Sequence, residues 1–156
     1  MRAGQRGFTL IELLVVMVIL GITLGLVSLN AIPGRQQSLQ QDAKRVALLL
    51  QLARDEAIVR NRQIAFEATP DSYRFLVRND NKQWEPLTQD DLLRERNFKN
   101  GPLTLMLDPL PPIPEPTLRI VFGREPVDKP FTLNMMAGEG ASVTIRADGI
   151  GHFTVD

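Results

Sequence analysis

Hydrophobic and polar residues follow three different rhythms along this chain. From Leu13 to Gly34, 22 consecutive residues carry no Asp, Glu, Lys or Arg. At about 1.5 Å of rise per residue a helix of that length covers roughly 33 Å, close to the ~30 Å hydrocarbon core of a bilayer. The pattern therefore predicts one membrane-spanning helix. From Leu39 the apolar positions Leu39, Ala43, Val46, Leu50, Ala53 and Ala57 recur at spacings of 4, 3, 4, 3 and 4, with Leu49 and Leu52 widening the face. That is an amphipathic helix. Gln40, Lys44, Gln51, Asp55 and Arg62 occupy its other face, and Glu56 and Arg60 form a favourable (i, i+4) pair. Because the heptad-like pattern is short, it fits a helix packed on a domain core better than a free coiled-coil seam.

After Arg62 the period drops to 2. Gln63–Thr69 and Ser72–Asn79 alternate, with Ile64, Phe66 and Ala68, then Tyr73, Phe75 and Val77, on one face. Joined through Pro70-Asp71, these segments read as a hairpin. Further strands are expected at Leu103–Leu107, Thr117–Phe122, Phe131–Met135, Ser142–Ala147 and Ile150–Val155. The last two flank Asp148-Gly149, which suits a tight two-residue turn.

Breakers separate these segments. Pro33, in Ile32-Pro33-Gly34, removes a helical hydrogen bond and clashes with the carbonyl of Leu29, so a kink is expected there. Asp108-Pro109-Leu110-Pro111-Pro112-Ile113-Pro114-Glu115-Pro116 favours an extended, stiff surface connection and excludes a central strand. Gly138-Glu139-Gly140 reads as a loop between strands, and Trp84 as a lid on the core.

Charge sharpens the division. Arg2 and Arg6 flank the start of the apolar run, and such basic residues mark the cytoplasmic side, which puts the bulk of the chain across the membrane. From Arg35 to Asp156 there are 16 basic and 17 acidic residues, a balance that predicts no nucleic-acid partner. The absence of Cys removes disulfides and thiolate chemistry. An ordinary secretory signal has a shorter apolar core and a small-residue cleavage site, which Gly25–Ala31 does not supply.

Little here points to an enzyme. There is one histidine, His152, and no nucleophile elbow, phosphate-cradling loop or paired-histidine spacing. Asp90, Asp91 and Glu95 are the acids whose convergence would be needed for catalysis by carboxylates alone. No catalytic residue, metal ligand or cofactor is expected.

One acid does stand out, because Glu12 lies just inside the mouth of the apolar run. Thr9-Leu10-Ile11-Glu12 has the form of a capping box, with Phe8 and Leu13 placed as a hydrophobic staple. A helix N-terminus, with unpaired amides and a positive dipole end, favours an acid locally. The cap leaves the depth of the acid unexplained, since an acidic group within a membrane span is unfavourable and usually has a partner.

The stretch Gly7-Phe8-Thr9-Leu10-Ile11-Glu12, after a short basic leader and before a long apolar run, resembles the class III signal of type IV pilins and type II secretion pseudopilins. The resemblance implies cleavage between Gly7 and Phe8 by a membrane prepilin peptidase and N-methylation of Phe8 by the same enzyme. It also implies pairing of the new N-terminus at Phe8 with Glu12 of a neighbouring subunit during filament assembly. The expected organisation is a leader at 1–7, a transmembrane and filament-core helix at 8–31, a periplasmic amphipathic helix at 32–62 and a periplasmic β-rich domain at 63–156. The fold implied is α+β and pilin-like, a long N-terminal helix on an antiparallel β domain.

Ala53-Arg54-Asp55-Glu56-Ala57, Tyr73-Arg74-Phe75, Trp84-Glu85-Pro86-Leu87 and Asp148-Gly149-Ile150-Gly151 make the domain most similar to the H-type minor pseudopilins. These imply a subunit near the tip of a periplasmic pseudopilus, anchored in the inner membrane and assembling with other major and minor pseudopilins to support protein export. A minor pilin of a type IV pilus, including a DNA-capturing one, and a membrane-anchored periplasmic binding domain are the alternatives.

Overall fold

A computed structural model describes residues 10–30, with side chains through 22, and residues 34–111, 117–138 and 140–156. The chain separates into two compact units, Met1–Gly34 and Arg35–Asp156. In the first, α1 runs over Leu10–Asn30. Among the described residues no helix is long and apolar enough to cross a membrane. The predicted span continues to Gly34, past Ile22, where the described side chains of α1 stop. The expected kink at Pro33 lies outside the described residues.

The second unit begins with α2, Arg35–Val59. Every apolar position of the 4-3-4 pattern, from Leu39 to Ala57, is buried, as is Leu49, while Leu52 packs against the same core. The pair between Glu56 and Arg60 forms across the helix C-terminus. Among the described residues nine strands follow, all paired antiparallel. One sheet has the order β3 (Trp84–Pro86), β2 (Ser72–Arg78), β1 (Ile64–Ala68), β6 (Leu118–Phe122), and the short β4 (Arg96–Asn97) also pairs with β2. The other has the order β5 (Thr104–Asp108), β7 (Phe131–Ala137), β8 (Ala141–Ala147), β9 (Phe153–Val155).

The predicted hairpin is β1–β2, with Phe66 opposite Phe75 and Ala68 opposite Tyr73. Its inward face meets α2 in a core where the rings of Phe66, Tyr73, Phe75 and Phe98 lie 5.0–6.4 Å apart. Alternation in β8 is complete, since Ala141, Val143, Ile145 and Ala147 are buried and Ser142 and Arg146 exposed. The strand β1 instead is buried at all five positions. Its outward Glu67 is covered by Arg74 of β2 and Arg119 of β6, which the register sets on either side of it.

Two sequence expectations are corrected. The connection between β8 and β9 is a five-residue loop, Asp148–His152, since Ala147 pairs with Phe153. Asp148 organises it: Oδ1 accepts the amides of Ile150, Gly151 and His152 at 2.9–3.1 Å, and Oδ2 lies 2.7 Å from the His152 ring. Glycine is required at 149, where φ is 84° and a Cβ would lie 2.3 Å from the Asp128 carbonyl oxygen. Trp84 is also no core lid. It is half-buried on β3, directly opposite Arg78, whose guanidinium carbon lies 5.8 Å from the ring centroid. Val77 packs against the core, so its neighbour Arg78 and the paired Trp84 fall on the other face of the sheet.

Candidate assembly site

Glu12 occupies the first turn of α1, where the helix dipole favours a carboxylate. Gly7, Phe8 and Thr9, predicted for cleavage, methylation and capping, lie outside the described residues. Around and beyond Glu12 the described large apolar side chains, from Leu10 to Ile22, are all exposed, between 49 % and 85 %. A helix that is apolar on every side is built for burial elsewhere, because soluble monomers rarely leave so continuous an apolar surface in water. Burying one such side chain is worth about 1.5–3 kcal/mol, so covering this run is worth on the order of 20 kcal/mol. Glu12, the one charged residue of α1, stands at its entrance.

In the second unit several buried polar side chains find partners internally. Asp42, on the apolar face of α2, is buried and accepts the Lys99 amide at 2.9 Å. Asn100 donates to Ser38 Oγ at 2.9 Å beside it, joining α2 to the segment after β4. Arg54, also buried, donates to the Pro126 carbonyl and lies against the Cα of Gly151, where a Cβ would be 2.7 Å from Nη1. Glu67 takes Arg74 Nε at 2.8 Å and Arg119 Nη2 at 2.6 Å. Burial raises the Glu67 pKa, but hydrogen bonds from Arg119 and Arg74 and their charges outweigh it and hold the carboxyl below its ordinary value.

Of the three acids considered for catalysis, Asp90 is engaged in the backbone of its own loop. Asp90 Oδ1 accepts the amides of Leu92 and Leu93 at 2.9 and 3.0 Å, and the Leu93 bond is the main reason its pKa is lowered. The Asp91 carbonyl receives Arg96 Nη2 at 3.0 Å, and Glu95 is exposed. Among the described residues no three His, Cys, Asp or Glu side chains are grouped to hold a metal ion. His152, on the Asp148 loop, partners that carboxylate, whose pKa is about 2: partial desolvation opposes the charge, but the Ile150 amide and the His152 ring and amide outweigh it.

The buried acids and Arg54 escaped the sequence reading, although a signal was present. Asp42 is three residues beyond Leu39 and Arg54 four beyond Leu50, so both fall within the apolar stripe. A charge in a buried stripe needs a partner.

Comparison with known proteins agrees at both ends of the chain. Residues 2–28 match the prokaryotic N-terminal methylation motif, and residues 42–151 match the family described as type II transport protein GspH. The chain is 32 % identical over 148 residues to type II secretion system protein H of Pseudomonas aeruginosa, covering 94 % of this chain and 84 % of that one. It resembles the solution structure of Escherichia coli GspH with a TM-score of 0.60 and 22 % identity, over 79 % of this chain and 93 % of that one. The type IV minor pilin FimU of P. aeruginosa is similar in fold, with a TM-score of 0.56, 17 % identity, and 76 % and 87 % coverage. The pilin-like α+β fold is thus common to secretion and pilus subunits. With a matching family model over most of its length, the chain belongs to the type II transport protein GspH family, as a minor pseudopilin of the type II secretion system.

Proposed function

We propose that the chain is held in the inner membrane by α1, with a cytoplasmic N-terminus and a periplasmic domain, until it is drawn into the pseudopilus near its tip. In this reading prepilin peptidase cuts between Gly7 and Phe8 and methylates Phe8, and the new N-terminus pairs with Glu12 of a neighbouring pseudopilin. The role is structural, with no catalytic centre, cofactor or nucleic-acid partner. The observation that supports it most is the exposed apolar surface of α1 with a single acid at its first turn. Bare apolar side chains give the helix a reason to be in lipid first and among other helices afterwards. The acid gives it a way to select a partner there.

Glu12→Gln tests the pairing. Glutamine also serves in a capping box, so the cap survives and the charge does not. The variant is expected to insert into membranes like the native chain and to be depleted from assembled pseudopili, as read by co-purification with the other pseudopilins. Native-level incorporation would end the pairing role. Mass spectrometry of the N-terminus in a host with prepilin peptidase should find methylated Phe8, and a chain still beginning at Met1 would remove the processing step.

A further inference from the structure

At the C-terminal end of α2 the turn Asn61–Gln63 meets the β2–β3 hairpin and the loop after β6 around a concavity of about 380 Å³. Arg62, Arg78, Lys82 and Arg124 line it, and Asp80 is the one acid among the described lining residues. The chain as a whole carries 18 basic and 18 acidic side chains, so this concentration does not follow from a general basic excess. Arg78 is fixed in place: Nη1 donates to Gln63 Oε1 at 2.7 Å, Nε to the Lys82 carbonyl at 3.3 Å, and the guanidinium lies over Trp84. Arg62 faces Asp80 at 3.5 Å, but the Asp80 side chain is 91 % exposed, and an ion pair so open to water contributes little. The side chains of Lys82 and Arg124 have no hydrogen bond or ion pair among the described residues.

Backbone geometry supplies an independent observation. Lys82 has φ of 62°, in the left-handed region that Gly, Asn and Asp tolerate and long side chains rarely adopt. The turn itself is closed by Asn79, whose carbonyl accepts the Lys82 amide at 2.9 Å and whose Oδ1 accepts the Gln83 amide at 2.8 Å. Nothing in that closure needs an ammonium at 82. Asn61, the other non-glycine residue with positive φ among the described residues, is of the type the conformation prefers.

From the uncommitted cations, the fixed arginine and the lysine kept in an unfavourable conformation, we infer that this pocket binds a carboxylate-bearing segment of a partner protein. Guanidinium groups take carboxylates in paired hydrogen bonds, and a pocket of this size holds one or two acidic side chains. Nucleic acid fits less well. It is bound along extended basic grooves with aromatic rings free for stacking, whereas Trp84 is covered by Arg78. The inference is independent of processing at Gly7 and of pairing through Glu12.

The test uses the full chain in non-ionic detergent micelles and fluorescence anisotropy of labelled hexaglutamate, with labelled heptathymidylate as the nucleic-acid probe of similar charge. Hexaglutamate should bind, and Lys82→Glu with Arg124→Glu should weaken binding by about tenfold or more. Lys44→Glu with Lys99→Glu changes net charge equally elsewhere and should leave binding unaltered. Lys82→Gly separates charge from folding: glycine relieves the positive φ, so thermal stability should hold or rise while peptide affinity falls. Equal weakening by both charge-reversed pairs, tighter binding of the oligonucleotide, or native affinity in Lys82→Gly would each overturn the proposal.

Discussion

The helices α1 and α2 are of similar length, 21 and 25 residues, yet they treat their apolar side chains in opposite ways. In α2 a stripe from Leu39 to Ala57 is buried against two sheets and the polar face meets water. In α1 the described apolar side chains cover every side and stay exposed. The difference is one of pattern as well as composition: a stripe can be satisfied by one domain, whereas an all-round apolar surface needs surroundings on all sides. The apolar stripe of α2 is thus covered within one chain, whereas the described apolar side chains of α1 are not.

The sharpest way to break that contrast is to cut back one leucine on each helix. Leu50, on α2, is fully buried, and Leu50→Ala should destabilise the domain by about 2–5 kcal/mol. Leu14, on α1, is 57 % exposed, and Leu14→Ala should leave domain stability within about 0.5 kcal/mol of native. Urea unfolding of the full chain in micelles, followed by Trp84 fluorescence, reads both. A loss at Leu14 comparable to that at Leu50 would mean that α1 contributes to the fold of the domain, and the contrast would fail.

How much of this was legible in the sequence depends on how local the cause is. The stripe of α2 and the β1–β2 hairpin follow from spacing within about 25 residues, and both are found where the periodicity puts them. The pairing of β1 with β6 is not visible in that way, because Phe66 meets Ile120 only after the chain has passed through β2, β3, β4 and β5. The β8–β9 turn misled because Asp148-Gly149 is a strong local turn signal. The loop instead takes its form from the three amides that Asp148 accepts and from the Asp128 carbonyl packed against Gly149. Of the assembly site, the sequence motif at Gly7–Glu12 carried nearly everything. The structure adds the exposure of the helix that follows it.

Asp42 offers a second, smaller test, because it shows how the domain satisfies a charge placed on a buried stripe. Asp42→Ala removes the acceptor for the Lys99 amide, a contact between residues 57 apart in sequence. Leaving that donor unpaired should lower stability by about 1–3 kcal/mol, and Asp42→Asn, which keeps an acceptor, should recover a good part of it. If Asn behaves as badly as Ala in the same unfolding experiment, the carboxylate has a role beyond this hydrogen bond.

The smallest effect is the most specific, and it sets Glu67 beside Glu12. Both are acids in apolar runs of sequence, and Glu67 pairs with Arg74 and Arg119 of its own chain. Its pKa is lower in the folded protein than the ordinary 4.5, so the unfolded chain takes up the proton first as pH falls. The stability contributed by the charged carboxylate is therefore fully present above about pH 4.5 and lost as pH drops through the folded value. Arg74 is 46 % exposed, so water screens part of the pair, and Glu67→Gln should lower stability near neutral pH by about 1 kcal/mol. Across an acid series of urea midpoints the gap between the variant and the native chain should close below pH 4.5, because protonated Glu and Gln are then alike in charge. A gap that stays constant with pH would mean that the amide disturbs packing and that the charge of Glu67 does little. The domain would then hold the acid of β1 for its shape.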